Sequence, residues 1–302
     1  MAGIFSLIRH QPPVHRAVCL GFLSILILCS AGCITEKPSP AEEGIQLITP
    51  DEGFSIFSGQ GHYAGLIGEE NPHIPANYSL GIVTLPPGHA TAAHRLAGTA
   101  EMVCLTRGEA EIRCDNTTVT VREGEVVILP DGVLQSITAV GNTELQCVDV
   151  VQPPFSPAAE MSGTELAPLP PATDGVPIVI PDPRDGTRWD IGSDMMIYTL
   201  ANPVLMPEKN LPMDYSVAYA ELLPGGSADV NQLMGASELI YVISGEIEVF
   251  TPEGCVARAP AGHAVWIAPG QEKGYRNAGA VDAAMLSFVD PAWTPERTVM
   301  VE

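Results

Sequence analysis

Hydrophobic and polar residues alternate over short stretches through most of the chain. In TAEMVCLTRGEAEIRC, residues 99–114, Glu101, Val103 and Leu105 fall on one side. After a turn at Arg107-Gly108, Ala110, Ile112 and Cys114 fall on that same side, while Glu111 and Arg113 face the other way. A period of two predicts a hairpin with one apolar and one wet face. TVTVREGEVVILPDGV, residues 118–133, adds two more strands around Glu123-Gly124. With 29 Gly and 28 Pro and only 6% aromatics, turn formers are dense enough to favour many short strands over long helices. The expected class is all-β, a sandwich or barrel.

The pattern occurs twice. LPPGHATAAHRLAGTAEMVCLTRGEAEI, residues 85–112, lies over LLPGGSADVNQLMGASELIYVISGEIEV, residues 222–249, at an offset of 137 without a gap. Pro87, Gly88, Leu96, Gly98, Glu101, Gly108 and Glu109 match Pro224, Gly225, Leu233, Gly235, Glu238, Gly245 and Glu246. One inserted residue later the offset is 138, and GEVVILPDGVLQ matches GHAVWIAPGQEK, then VVQPPFSP matches FVDPAWTP. The chain is a tandem duplication. Its expected divisions are residues 45–155 and 186–302 as two β domains, joined by a Pro-rich linker at 156–185.

This framework resembles the cupin superfamily in its two-barrel form, whose motifs run G-x5-H-x-H-x(3,4)-E-x6-G and then G-x5-P-x-G-x2-H-x3-N. The resemblance implies two tandem double-stranded β-helix (cupin, or jelly-roll) barrels. It also implies three histidines and a glutamate converging inside a barrel on a divalent transition metal, a donor set suited to Mn, Fe, Ni, Cu or Zn. Carried over position by position, the first repeat offers His94, Leu96, Glu101 and Gln135, and the second Asn231, Leu233, Glu238 and Lys273. Leucine cannot bind metal, and it stands at the second histidine position in both repeats. The second repeat has therefore lost the site, and Lys273 is expected to pair with Glu238 where an ion would sit. The first repeat leaves two readings open. His94, Glu101 and Gln135 either hold one divalent ion weakly or hydrogen-bond to one another. His62, His73, His89 and His263 are expected on loops or at the surface. The leucines point to a packed interior or a pocket for a small organic ligand.

The start of the chain is not fold. Residues 1–16 carry Arg9 and Arg16 and no acid, residues 17–30 are an apolar run, and SAGC closes it at Cys33. That is the pattern of a signal peptide, short of the roughly 20 residues of a membrane span. AGC after the run resembles a lipobox, with Ser30 where that pattern usually has Leu, which implies a lipidated Cys33 and a polar tether at residues 34–44. A cleaved signal with an incidental cysteine, or an uncleaved anchor, are the alternatives. The remaining cysteines, Cys104, Cys114, Cys147 and Cys255, form no CxxC and give no pairing, although export permits disulfides.

Formal charge is −22, from 14 Lys+Arg and 36 Asp+Glu, so nucleic acid is a poor partner. No GxSxG, Walker A or GxGxxG loop is present. NYS at Asn77 and NTT at Asn116 match the glycosylation pattern. Two functions are expected in contention. One is a lipid-anchored extracytoplasmic bicupin that binds a small organic molecule or carbohydrate, or acts as a scaffold. The other is a metal-dependent dioxygenase, isomerase or decarboxylase working from the first barrel alone. The missing ligands favour a non-enzyme. Two barrels in one chain leave a monomer, or a dimer through barrel edges, as the expected assembly.

Overall fold

The computed structural model describes residues 44–166, 176–190 and 194–301. Cys33 with its signal-like segment, and all but the last residue of the tether, lie outside them. Among the described residues the ordered elements are strands and short 3-10 turns. They form two jelly-roll barrels, as the repeat and the resemblance implied.

In barrel 1, seven strands form one sheet in the order Ile178–Ile180, Val126–Leu129, Ala100–Arg107, Leu145–Gln152, Ser79–Leu85, Gly61–Ile67, Phe54–Ile56. Five face them, in the order Glu160–Ser162, His94–Leu96, Gln135–Val140, Glu109–Cys114, Thr117–Arg122. In barrel 2, the large sheet runs Ile45–Ile48, Ala264–Ile267, Ser237–Ser244, Ala283–Asp290, Ser216–Leu222, Met195–Ala201, Thr187–Asp190. Its opposite wall holds Gly254–Pro260, Glu246–Thr251 and Gly274–Arg276, with Asn231–Leu233 and Thr298–Met300 as a separate pair.

Two features differ from the sequence expectation. The stretch through Arg107-Gly108 is not a hairpin. Ala100–Arg107 pairs with Val126–Leu129 and Leu145–Gln152, whereas Glu109–Cys114 pairs with Thr117–Arg122 and Gln135–Val140 across the barrel. Val103, Leu105, Ala110, Ile112 and Cys114 do line one interior, but from opposite walls. Periodicity reports which residues point inward and is silent on which strand lies alongside. Sheet membership also cuts across the expected domain limits. Ile45–Ile48 pairs with Ala264–Ile267 of barrel 2, and Ile178–Ile180, from the expected linker, pairs with Val126–Leu129 of barrel 1. The segment before barrel 1 and the linker thus each cover an open sheet edge, whose N–H and C=O groups would otherwise lack partners.

The large sheets are buried on both faces. Inward-facing residues fill each barrel, and outward-facing ones meet in a shared core containing Tyr78, Leu80, Met102, Val150, Tyr215, Leu239 and Phe288. The Tyr78 and Tyr215 rings lie 5.1 Å apart there. This explains why Ala100–Arg107 and Ser237–Ser244 are apolar almost without interruption while Glu109–Cys114 alternates. Cys104, Cys114 and Cys147 are buried, and Cys255 is exposed. Burial pushes the Cys104 thiol up to about 12, a poor nucleophile.

Candidate functional site

In each barrel the structure brings the three polar positions together. In barrel 2, Asn231 begins Asn231–Leu233, Glu238 lies in Ser237–Ser244 opposite Val289 and Ile267, and Lys273 bridges back to Asn231. The Lys273 side chain is 2% exposed. Its Nζ lies 3.2 Å from Glu238 Oε2 and donates to Asn231 Oδ1 at 2.5 Å. The carboxylate also accepts from Tyr275 OH and from Ser287 Oγ, each at 2.7 Å. Burial, then the nearby Glu238 carboxylate, raises the Tyr275 phenol well above its ordinary value, so it stays protonated as a donor. This network satisfies a buried charge by a cation and two hydroxyls, which is what keeps such a pair tolerable. Its ammonium stands where a cupin metal would, and barrel 2 does not fit one.

In barrel 1, His94, Glu101 and Gln135 are all buried. His94 Nδ1 lies 2.8 Å from the Ala92 carbonyl, so it carries the proton and leaves Nε2 as acceptor. Gln135 Nε2 is 3.3 Å from that nitrogen and also donates to Glu101 Oε2. The Phe57 ring, on a turn where Phe57 and Ser58 adopt φ of 48° and 57°, covers His94 with centroids 5.3 Å apart. The two leucines are buried beside these clusters. Leu233 packs with Ala236, Val289 and Trp293.

One member of the barrel 1 cluster escaped the sequence reading. Asp149, on Leu145–Gln152 opposite Val103 and Gly81, hydrogen-bonds the Glu101 carboxyl. Its Oδ1 is buried with no hydrogen-bond partner. Burial raises both acids, Glu101 to about 7, although the bonds from Gln135 and Asp149 pull Glu101 down; Asp149 goes well above its usual range, aided by the adjacent Glu101 charge. The repeat carried the signal for it: the offset of 138 places Asp149 on Ser287, which holds Glu238 in the same way. It is also an acid between Cys147 and Val151 on the inward side of its strand.

One imidazole, two carboxylates and an amide are suitable in type and charge for a divalent ion. In this arrangement, however, Gln135 closes the gap between His94 and Glu101. Among the described residues no group of three or more His, Cys, Asp and Glu side chains is gathered as for a metal. The other described histidines bond elsewhere: His62 to the Glu52 carbonyl, His73 to Gln46, His89 to the Gln60 carbonyl and His263 to the Ala261 carbonyl.

The interiors differ in space as well as charge. Barrel 2 holds a cavity of about 90 Å³ whose lining includes Lys273, Glu238 and Tyr275 and the two tryptophans Trp189 and Trp293. Those rings meet edge to face at 5.1 Å. In barrel 1 the matching space is filled. Tyr63 pairs with Val83 as Ile197 pairs with Ala220, so the two are equivalent. The Tyr63 ring lies over Gly81, where a Cβ would overlap it, and the equivalent of Gly81 is Ala218.

Comparison with known proteins agrees with this architecture. The cupin-domain family matches residues 81–151 and again 218–289. The chain is a bicupin. An oxalate-binding protein of Thermotoga maritima is 28% identical over 106 residues, 34% of this chain and 87% of that protein. Oxalate decarboxylase of Bacillus subtilis, solved at pH 4.6, superposes with a TM-score of 0.65 at 14% identity, covering 85% of this bicupin and 78% of the decarboxylase. A second structure of that enzyme, from work on its Mn(II) centres, gives 0.64 at 14% identity, covering 85% and 79%. At these identities the structural likeness establishes the fold.

Proposed function

We propose that this bicupin is an extracytoplasmic, lipid-anchored protein that binds a small organic molecule in barrel 2 and has no catalytic role there. The observation that carries the reading is the buried Lys273–Glu238 pair standing in the metal position beside an unfilled chamber. A resident ammonium supplies the positive charge without redox or Lewis-acid chemistry, so the barrel keeps a pocket after losing the ion. The oxalate-binding relative from Thermotoga supports small-molecule binding as a theme among its kin. Lipidation of Cys33 and the tether after it place the barrels outside the membrane in this reading.

The test is ligand-observed NMR with a panel of small acids, sugars and neutral organics. Native protein is compared with Ile197→Tyr/Ala218→Gly, which fills the chamber as barrel 1 does. Hits lost in the filled variant support the function, and a blank panel overturns it. Mass spectrometry of membrane-extracted protein tests the lipid at Cys33.

A second reading rests on barrel 1. The Glu101–Asp149 pair has no ammonium beside it of the kind that Lys273 supplies in barrel 2. A divalent ion there would be held by His94, Glu101, Asp149 and Gln135, and would restore the metalloenzyme alternative. Metal analysis decides: near one ion per chain, lost in His94→Ala, supports it, and no uptake of Mn, Fe, Ni, Cu or Zn removes it.

A further inference from the structure

The chemistry of the barrel 2 chamber narrows its ligand. Its walls include Met195, Ile197, Ala220, Ala228, Ile240 and Val289, and among its lining side chains Lys273 is the one base and Glu238 the one acid. These two charges cancel. Most other polar lining groups are uncharged and help to hold the rim, the hydroxyls as acceptors that keep an O–H of their own. Thr199 accepts from the Trp189 indole and Thr298 from that of Trp293. Ser216 Oγ accepts from the Trp293 N–H, and Asn202 bonds to the Trp293 carbonyl and the Val204 and Leu205 N–H groups. An ammonium has three donors. Two of Lys273's are used, by Asn231 and Glu238, which leaves one.

We propose that the chamber takes an uncharged, largely apolar molecule with a hydrogen-bond acceptor, such as a carbonyl or ether oxygen, received by the third N–H of Lys273. The proposal rests on the binding function above and specifies its ligand class. Size follows from volume: at about 90 Å³ the chamber is smaller than the roughly 150 Å³ cavity that takes benzene, so its ligand has on the order of four non-hydrogen atoms. Charge follows from the paired lysine. A monocarboxylate would leave a net negative charge in an apolar chamber and a dicarboxylate two, with no second cation to offset either. Burying an unpaired ion costs several kcal/mol. The chamber therefore discriminates against the oxalate that names its relatives.

Calorimetric titration with three probes tests this: acetone, acetate and oxalate. Native protein is compared with the chamber-filling Ile197→Tyr/Ala218→Gly and with Lys273→Met/Glu238→Gln, which removes the ammonium donor while keeping the interior neutral. Circular dichroism verifies folding of each. Acetone is expected to bind at least tenfold more tightly than either anion. Its affinity should fall about tenfold in the Met/Gln variant, the worth of one charge-assisted hydrogen bond, and vanish in the filled one. Tighter binding of an anion, abolished in the filled variant, overturns the ligand class and leaves the binding function standing. Acetone affinity unchanged in both variants places it outside the chamber and overturns the proposal. No binding of any probe also overturns it, and the NMR panel then decides separately whether the chamber binds anything.

Discussion

Replacing Lys273 by Met is the sharpest perturbation of barrel 2. Methionine matches the volume of the lysine stem but not its charge. The variant loses the 3.2 Å ion pair with Glu238 and the 2.5 Å bond to Asn231 Oδ1, while Glu238 keeps its donors Tyr275 and Ser287. Removing one partner of a buried pair costs about 3–5 kcal/mol. The carboxylate can escape by taking a proton. At pH 7, against an ordinary glutamate value near 4.3, that costs about 3.5 kcal/mol and so caps the ionic part. The orphaned Asn231 oxygen adds about 1 kcal/mol or more. The sign with pH follows. In the variant, a carboxyl that prefers its proton when folded binds more protons than the unfolded chain, so stability drops as pH rises above the unfolded value. The deficit against native protein should be about 1–2 kcal/mol near pH 4.5 and about 3–5 kcal/mol at pH 7.5. Urea unfolding at the two pH values, followed by tryptophan fluorescence, measures it. Lys273→Met/Glu238→Gln should recover to within about 1–2 kcal/mol of native, because replacing both charges removes the imbalance. A Lys273→Met protein as stable as native at pH 7.5 would refute the claim that the ammonium balances a buried carboxylate.

Other consequences are open to direct measurement. In metal-free protein the Glu101–Asp149 pair should make stability fall as pH rises from about 4.5 through 7. The folded state holds its proton longer there, and a Glu101 value raised from 4.5 to about 7 corresponds to on the order of 3 kcal/mol. Calorimetric melts across that range check this, and Glu101→Gln/Asp149→Asn should flatten the slope. Gly81→Ala should destabilise barrel 1 by about 1–3 kcal/mol through overlap with the Tyr63 ring. A second substitution, Tyr63→Leu, should relieve much of that loss in the same urea assay. Phe288→Ala, at the fully buried contact between barrels, should cost about 3–5 kcal/mol in a denaturant titration.

The sequence alone determined the duplication, the strand-rich class and the residues that converge inside each barrel. A repeated Gly, Pro and Glu framework preserves a chain path, and a fixed path carries positions such as Asn231, Glu238 and Lys273 to the same interior. The Lys273–Glu238 pair was legible for that reason: one charge excess at a metal position demands its opposite. Tertiary structure decided what depends on neighbours distant along the chain. Which strand lies beside Ala100–Arg107, and which barrel receives Ile45–Ile48 or Ile178–Ile180, is set by edges needing hydrogen-bond partners, and residue alternation does not encode that choice. Asp149 became part of the barrel 1 cluster only once its strand was placed beside that of Glu101. The chamber itself is decided by two paired exchanges between repeats. Tyr63 over Gly81 fills barrel 1, whereas Ile197 beside Ala218 leaves barrel 2 open, because a cavity is the volume that side chains from several strands together fail to fill.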